Sequence, residues 1–326
     1  MKTILLVTPL VLLFQIAILI SVAQSETLLV AMAMSLVGSR VLVTGAGRGI
    51  GRAIAHILVE EGAKVAACSR TKSELEETAA TATAPVTADD SCFADSGSAE
   101  ATETTTSTSN TSSSGIVKEH HPIEIFEVDL TDKIQVEDMV SSLVEKWGGI
   151  DILINNAGRG QAQKGPAYLL DGEDLTNILN INVVSVHTVT SSVLRNSMRT
   201  NSNAHGGRII NISSRAAKKG LPNISFYVTS KFALEGYSAA LAEELKDDNI
   251  YVNTISPGMV DTKSFPKPAG RKGVRSAESI KDGLLLLLGS NKTGHYLHVD
   301  ELDLVRAKGL DDSIALKPIN EDDFSI

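Results

Sequence analysis

Short apolar runs, separated by stretches with a helical pattern, predict a series of buried strands along the chain. After the first run, Val41–Val43, apolar residues recur at i, i+3, i+4, i+7 and i+8 from Ile50 to Leu58, which is the period of an amphipathic helix. This alternation predicts an α/β fold, a single domain with a doubly wound, mostly parallel, seven-stranded sheet. Such sheets bind ligands beyond the carboxyl ends of their strands. The predicted strands are Val41–Val43, Lys64–Cys68, Ile123–Val128, Asp151–Asn155, Arg208–Ile212, Tyr251–Ser256 and His295–Val299.

The chain begins with an apolar segment that lies outside this alternation. One apolar stretch runs from Ile4 to Ala23 and a second from Leu28 to Val37. About 20 apolar residues suffice to cross a bilayer. Residues 1–37 are therefore predicted to anchor the protein in a membrane through its N-terminus, in the endoplasmic reticulum. The alternative is a signal sequence, because Ser21-Val22-Ala23 is a small-x-small cleavage site that would send the protein into the secretory pathway.

Two further segments stand apart from the predicted domain, which spans 38–300. Residues 81–115 are rich in Thr, Ser and Ala and contain no Lys or Arg. Such a composition cannot bury a core, so this segment is predicted to be a disordered, low-complexity insert. Residues 301–326 follow the last predicted strand as an acidic C-terminal tail.

Charge and composition exclude some classes of function. The 326 residues carry a formal net charge of −9, and aromatic residues make up 4%. A nucleic-acid-binding protein needs a basic surface and often aromatic stacking platforms, so no nucleic-acid partner is predicted. The two cysteines, Cys68 and Cys92, form neither a disulfide framework nor a metal cluster, and no metal site is predicted.

A glycine-rich turn joins the first predicted strand to the first predicted helix. Its sequence is Thr44-Gly45-Ala46-Gly47-Arg48-Gly49-Ile50-Gly51. Glycines at a strand-to-helix turn let a phosphate approach main-chain N–H groups at a helix N-terminus without meeting a Cβ atom. This turn therefore predicts a nucleotide-binding site.

The end of the second predicted strand bears on the choice of nucleotide. Dinucleotide folds that bind NAD(H) place an acidic residue there, and those that bind NADP(H) place a basic residue nearby for the 2′-phosphate. This chain has Ser69-Arg70 at that position, and Arg48 lies in the glycine-rich turn. Two surface arginines are the alternative interpretation. The pairing favours NADP(H).

Four motifs in order and at the right spacing resemble the short-chain dehydrogenase/reductase family, over about Val41 to Val299 outside the insert. The glycine-rich turn has the family's three-residue gap, and the fourth predicted strand ends in Asn155-Asn156-Ala157-Gly158. Tyr227-x-x-x-Lys231 follows Ser214 by thirteen residues, and the sixth predicted strand ends in Pro257-Gly258-x-x-x-Thr262. The resemblance implies a Rossmann-like fold.

The resemblance also implies a catalytic set. Tyr227 and Lys231 lie at i and i+4 and share one helical face. Tyr227 would be the general acid or base, Lys231 would lower its pKa, and Ser214 would orient the substrate oxygen. Asn182, on a helix predicted over 175–195, would hold a water of a proton relay, although an Asn on an apolar helix is more often a kink or a cap.

The cofactor implied by the resemblance is NADP(H), held past the strand ends. At one of the implied positions, Asp129, the alternative is that it or Thr131 caps the helix that begins near Asp132. The implied cofactor-binding residues are Gly45, Arg48, Gly49, Ile50, Gly51, Ser69, Arg70, Asp129, Leu130, Asn155, Ala157, Gly158, Tyr227, Lys231, Pro257, Gly258, Val260 and Thr262.

The predicted function is that of an NADP(H)-dependent oxidoreductase that interconverts a ketone or aldehyde and an alcohol. The substrate would be a small molecule, and a lipid-like one if the domain is held at a membrane. The alternatives are a catalytically silent NADP(H)-binding regulator and a reductase of carrier-bound 3-oxoacyl groups. A homodimer through the two long helices is also predicted. The family's usual Asp-Gly-Gly ending is replaced here by Asp300-Glu301-Leu302-Asp303, which puts the family's tetramer contact at that edge in doubt.

Overall fold

A computed structural model describes residues 36–83, 123–200, 206–263 and 265–319. In these ranges one sheet of eight strands runs in the order β3-β2-β1-β4-β5-β6-β7-β8. The first seven strands are parallel, as predicted, and β8 pairs antiparallel with β7. The strands are β1 (Arg40–Thr44), β2 (Lys64–Ser69), β3 (Ile123–Glu127), β4 (Ile152–Asn155), β5 (Gly207–Ile212), β6 (Ile250–Ser256), β7 (His295–His298) and β8 (Leu316–Pro318).

Helices cover both faces of the sheet, because successive strand residues point to opposite sides. Val41 and Val43 of β1 pack into one apolar cluster with helices α1 and α7, and Leu42 packs into another with α3, α5 and α6. Parallel sheets need such double cover. The helices are α1 (Gly49–Glu60), α2 (Lys72–Ala80), α3 (Lys133–Trp147), α4 (Gly172–Leu179), α5 (Ser185–Val193), α6 (Ser225–Leu245), α7 (Lys281–Gly289) and α8 (Val299–Ala307).

The order of strands reverses between β1 and β4. β1 pairs with β2 on one side and with β4 on the other, so the connections after β1 and β4 leave in opposite directions. A crevice opens at such a switch point beyond the carboxyl ends of the strands. The glycine-rich turn after β1 and the Asn-Asn-Ala-Gly run after β4 therefore meet there.

The single helix predicted over 175–195 is interrupted. α4 ends at Leu179, one turn of π-helix spans Asn180–Val184, and α5 follows from Ser185. The π turn coincides with the buried Asn182, whose side chain bonds main-chain groups of a neighbouring loop. Single π turns inside α-helices frequently occur at functional sites.

The segment predicted only as an acidic tail contributes regular structure to the domain. α8 crosses the boundary predicted at residue 300, and β8 adds the eighth strand. Apolar residues that the acidic composition conceals explain this, because Leu302 and Leu316 are buried in the core. β8 also covers the edge of β7, where the family's tetramer contact was in doubt.

The predicted transmembrane helix and membrane location are wrong for the part of the chain that the structure describes. No helix there is both long enough and apolar enough to cross a bilayer. Except for its last two residues, the apolar segment 1–37 lies outside the described ranges, as does the predicted insert 81–115 except for its first three residues. This finding also contradicts the predicted membrane partner and the predicted locations in the endoplasmic reticulum and the secretory pathway. The predicted role in lipid metabolism depended on those locations and is contradicted with them.

Candidate active site

A cleft of about 410 Å³ opens at the switch point between β1 and β4. It is bounded by the glycine-rich turn, by the ends of β2, β3 and β4, and by the segment that follows β6. Most of the residues predicted to hold a cofactor thus meet around one space. The predicted residues that line it are Gly45, Arg48, Gly49, Ile50, Gly51, Ser69, Arg70, Leu130, Ala157, Gly158 and Thr262.

The glycine-rich turn packs so closely that its glycines leave no room for a side chain at their own positions. A Cβ atom on Gly51 would lie 2.2 Å from the carbonyl oxygen of Gly45 and 2.4 Å from Nδ2 of Asn156. Asn156 Nδ2 itself donates to the carbonyl oxygens of Thr44 and Gly45, at 3.0 Å each. The turn therefore presents bare backbone to the cleft at the start of α1, which is the arrangement that a dinucleotide pyrophosphate requires.

Thr44, which sequence analysis assigned no role, locks the two halves of the crevice together. Its Oγ1 donates to the carbonyl oxygen of Ile154 and accepts from the main-chain nitrogens of Asn156, at 3.0 Å, and Ala157, at 3.1 Å. Of the two adjacent asparagines, Asn156 lines the cleft and the predicted Asn155 does not. A threonine at the end of a buried strand could have signalled this clamp.

Asn155 instead points into the protein core. Its Nδ2 donates to Thr190 Oγ1 at 3.0 Å and to Asn211 Oδ1 at 2.9 Å, and Asn211 in turn donates to Ser238. These buried bonds join β4 and β5 to helices α5 and α6. Through Asn211, Asn155 thus helps to hold the helix that carries the predicted catalytic residues Tyr227 and Lys231, and it does not line the cleft.

Charged side chains surround the end of the cleft near β2. Arg48 Nη1 lies 3.0 Å from Glu74 Oε1, and Lys263 Nζ lies 3.4 Å from the same oxygen. Glu74, on α2, lines the cleft and was missed by sequence analysis. Because a carboxylate already pairs with Arg48, a 2′-phosphate placed here would compete with Glu74 for that guanidinium.

Asp129 lies at the end of β3 beside two lining residues, Val128 and Leu130. Its Oδ1 accepts from the main-chain nitrogen and from Oγ1 of Thr131, and these bonds hold the pKa of its carboxyl below the usual value. The cap of α3 is Asp132, which accepts from the nitrogens of Ile134 and Gln135, rather than Asp129 or Thr131. The alternative, in which Asp129 or Thr131 caps this helix, was therefore wrong about which residue forms the cap.

The residues predicted after β6 do not all reach the cleft. Gly258 has a φ of +73°, and a Cβ atom there would lie 2.9 Å from Asp300 Oδ1. Val260 is buried and bridges to Arg275. Neither these two nor Pro257 lines the cleft, whereas Thr262 does so opposite Gly49.

Helix α6 brings the predicted catalytic residues together. Tyr227 and Lys231 lie one turn apart, and Ser214 lies close enough to Tyr227 to lower the pKa of its phenol. Ser214 Oγ also accepts from the main-chain nitrogen of Ala216 at 3.1 Å, which leaves its proton for another acceptor. The ring of Phe265, which also lines the cofactor cleft, lies 5.6 Å from the Tyr227 ring.

The protonation of Tyr227 differs from the sequence prediction. Burial raises the pKa of Tyr227, and Ser214 only partly opposes this. The charge of Lys231 does not overcome the effect of burial on the pKa of Tyr227. Its Nζ donates to the carbonyl oxygen of Ile212 at 2.8 Å and lies 6.0 Å from the centroid of the Tyr227 ring. The phenol is therefore protonated at neutral pH, in the form that can donate a proton.

Lys231 lies in a buried polar environment that includes a second, unpredicted charge. Burial lowers the pKa of Lys231 to about 8, and the charge of Glu235 raises it. Glu235 is itself buried, and its Oε2 accepts from Thr254 Oγ1 at 3.1 Å and pairs with Lys218 Nζ at 3.3 Å. Its spacing, one turn after Lys231 on the same helix, was the available sequence signal.

Asn182 is fully occupied by protein contacts. Its Oδ1 accepts from the main-chain nitrogen of Arg159 at 2.8 Å, and its Nδ2 donates to the Arg159 carbonyl and to Ser230 Oγ, at 3.0 Å each. One Nδ2 proton thus holds the loop after β4, and the other is donated to Ser230 on α6. The water-relay role of Asn182 stays a prediction.

Comparison with known families gives one match that covers most of the domain. A family model described as short chain dehydrogenase matches residues 39–116 and 97–269, more than half of the chain. The match contains the glycine-rich turn, Ser214, Tyr227, Lys231 and Thr262.

Individual relatives share between 27% and 38% of their aligned residues with this chain. The 3-oxoacyl-[acyl-carrier-protein] reductase FabG of Vibrio cholerae is 28% identical over 229 residues, 70% of this chain and 76% of its own length. The L-2,3-butanediol dehydrogenase of Corynebacterium glutamicum is 38% identical over 135 residues, 41% of this chain and 50% of its own. A short chain dehydrogenase from Burkholderia cenocepacia, solved in complex with NADP, is 27% identical with a TM-score of 0.62, covering 81% of this chain and 96% of that one.

Proposed function

The chain belongs to the short chain dehydrogenase family of oxidoreductases, and from this premise we propose that it reduces the carbonyl group of a ketone or aldehyde to an alcohol with NADPH. The observation that carries the proposal is the grouping of Tyr227, Ser214 and Lys231 next to a cleft that fits a dinucleotide. A protonated phenol suits reduction, because the alcohol product needs a proton on its oxygen.

Three side chains divide the work at the substrate oxygen. Ser214 donates a hydrogen bond to the carbonyl oxygen, because its own acceptor role is met by Ala216. Tyr227 transfers its proton to that oxygen as negative charge develops there. NADPH, when bound, supplies the hydride that reduces the carbonyl carbon.

Lys231 stabilises the phenolate that Tyr227 becomes. With a pKa of about 8, its ammonium is largely charged at neutral pH. A positive charge one helical turn away favours the anionic form of the phenol. Glu235 supports this role, because its negative charge keeps Lys231 protonated in a site where burial works in the opposite direction.

The proposed preference for NADP(H) rests on the arginines at the β2 end of the cleft. Arg48 and Arg70 both line it, and an arginine presents several N–H donors to a phosphate. The Burkholderia relative binds NADP, whereas a structural neighbour from Brucella melitensis, 22% identical with a TM-score of 0.62 over 80% of this chain and 95% of that one, was solved with NAD. The fold alone thus accepts either. The two arginines favour NADP(H), and a bound 2′-phosphate would take the place of Glu74 on Arg48.

A 3-oxoacyl thioester is the second candidate substrate class, and one surface feature favours it. Lys164, Lys267 and Arg271 lie near one another, and Lys267 Nζ is 5.8 Å from the centroid of Phe265, which packs on Tyr227. Among the described residues these three side chains form no ion pair, although Asp261 accepts from the main-chain nitrogen of Lys267 at 2.9 Å and its charge partly opposes the burial that lowers the pKa of Lys267. An acyl chain on an anionic carrier would meet complementary charge at these three residues.

The experiment is a carbonyl panel given to the purified full chain with NADPH or NADH. The panel contains acetoacetyl-CoA, diacetyl, cyclohexanone and hexanal, and the loss of NADPH absorbance is measured. We expect turnover of at least one member, faster with NADPH. If NADPH binds, as followed by its fluorescence, and no carbonyl is reduced, the silent regulator replaces the reductase.

A further inference from the structure

Gln161 uses its whole side-chain amide inside the protein, although nothing above assigns it a role. It lies in the loop between β4 and α4, and only 8% of it is exposed. Its Oε1 accepts from the main-chain nitrogen of Phe226 at 2.9 Å and, more weakly, from that of Tyr227 at 3.4 Å. Its Nε2 donates to the carbonyl oxygens of Gln163, at 2.7 Å, and Asn223, at 3.4 Å.

The start of α6 needs such a partner. The first N–H groups of a helix have no acceptor within the helix, and a side chain at the N-cap usually supplies one. The N-cap of α6 is Ile224, whose apolar side chain cannot accept, and Asn223 before it has a φ of +66°. An amide from more than sixty residues upstream takes the place of the missing cap.

A second contact ties the same loop to the same turn. The main-chain nitrogen of Gly165 donates to the carbonyl oxygen of Asn223 at 3.0 Å. Together with Nε2 of Gln161, this bond fixes Asn223 in the left-handed conformation from which α6 begins. The loop after β4 and the first turn of α6 are therefore joined by several hydrogen bonds.

The first turn of α6 is where the proposed acid sits. Tyr227 is the third residue of the helix, so a shift of its backbone moves the phenol relative to Ser214, which is held by a different element after β5. Gln161 and the turn after β5 thus position Tyr227 and Ser214 independently. An amide does this without adding a formal charge next to the phenol, which an Asp or Glu cap would bring.

We infer that Gln161 is a positioning residue for catalysis, whose amide fixes the first turn of α6 and so aligns Tyr227 with Ser214 and the substrate oxygen. This inference rests on the proposed function, because it assumes that Tyr227 is the proton donor. A displacement of reacting groups by about 1 Å can cost about a hundredfold in rate.

The test replaces Gln161 with Met, which has a similar length and shape but cannot make these bonds. The control is Gln163→Met, since Gln163 is exposed and takes part only through its main-chain carbonyl. Turnover of the best carbonyl of the panel is measured per NADPH-binding site, with the sites counted by fluorescence titration. We expect Gln161→Met to lower kcat per site by about ten- to a hundredfold, with KM for NADPH within about twofold, and Gln163→Met to change neither.

A purely structural role for Gln161 gives a different result. The number of NADPH-binding sites would fall and kcat per remaining site would stay unchanged, which would overturn the inference. Gln161→Glu, which keeps an acceptor for Phe226, is measured in parallel so that the test survives if the Met variant does not fold. We expect its kcat per site to fall below that of the wild type, because Glu lacks the Nε2 donors to Gln163 and Asn223. A wild-type kcat per site in a folded Glu variant would also overturn the inference.

A double-mutant cycle separates this inference from the proposed function. If Gln161 acts through the phenol, Gln161→Met has little further effect on the residual turnover of Tyr227→Phe. An equal fold-loss in both backgrounds contradicts the inference and leaves the proposed function intact. If Tyr227→Phe itself turns over normally, the proposed function fails instead.

Discussion

The β2 end of the cleft and the buried end of the site at α6, where Lys231 and Glu235 do not line the cleft, are built from different kinds of interaction. At the β2 end, charges lie near the surface, and Lys263, which reaches Glu74, is 76% exposed. At the α6 end, Lys231 is only 7% exposed and Glu235 is similarly buried. Exposed ion pairs contribute about 0–1 kcal/mol and are screened by salt, whereas a buried charge that loses its partner is strongly destabilised. Single substitutions at the first end are therefore expected to cost little stability, and those at the second end to cost more.

Between the two ends lies the glycine-rich turn, where sterics rather than charge decide. We predict that Gly51→Ala abolishes NADPH binding, because its Cβ would fall 2.2 Å from the Gly45 carbonyl oxygen and displace Asn156. Overpacking of this kind typically costs about 1–3 kcal/mol in stability. The measurements are NADPH fluorescence titration and thermal unfolding.

Gly172→Ala is the matched control for this substitution, because a Cβ atom on Gly172 would meet nothing within 4 Å. It should bind NADPH as the wild type does. Unchanged NADPH affinity in a folded Gly51→Ala protein would show that the backbone of this turn does not approach the cofactor.

The buried end predicts a pH effect for Glu235→Gln. Lys231 acts as a cation, and its pKa, about 8 in the wild type, loses the contribution by which Glu235 raises it. The alkaline limb of kcat should therefore move to lower pH, with a loss of about fivefold at pH 8 if the pKa of Lys231 falls by about one and little change near pH 6. The pH–rate profile of the best carbonyl substrate measures this.

Three further titratable groups lie around Lys231 and Glu235. Lys218 pairs with Glu235, Tyr296 lies beside Lys218, and Tyr227 is one turn before Lys231. Glu243→Gln, at an exposed acid on the same helix, is the control and should leave the profile unchanged. A parallel loss of kcat at every pH would mean that Glu235 serves packing rather than the charge of Lys231.

The exposed end predicts the smallest effect. Replacing both Arg48 and Arg70 by Met should raise KM for NADPH by about tenfold or less, since such contacts are solvent-screened, and should leave KM for NADH nearly unchanged. The ratio of the two KM values at low and high salt is the measurement. Equal losses for both cofactors would assign the arginines to the shared pyrophosphate instead.

The sequence was sufficient where function depends on local geometry. The spacing of Gly45, Gly49 and Gly51 specifies a turn whatever surrounds it, and the i, i+4 spacing of Tyr227 and Lys231 places them on one helical face. The parallel orientation of the first seven strands could be predicted from the regular alternation of strand and helix.

Contacts between distant segments were beyond this kind of reasoning. Nothing local distinguishes Asn155, which bonds the core, from Asn156, which lines the cleft, because their roles depend on the direction in which a buried strand ends. Gln161 caps a helix from more than sixty residues away. Burial, which raises the pKa of Tyr227 against the predicted direction, also becomes visible only after packing.

The most direct test of the proposed chemistry is Tyr227→Phe, which removes the phenol oxygen and keeps the ring that packs on Phe265. We predict that kcat for the best carbonyl substrate falls by at least about a hundredfold, the scale of general acid catalysis, while the dissociation constant of NADPH stays within about twofold. Both are measured on the same preparation, with thermal unfolding to confirm the fold. Near-normal turnover in a folded Tyr227→Phe protein would contradict the assignment of Tyr227 as the proton donor.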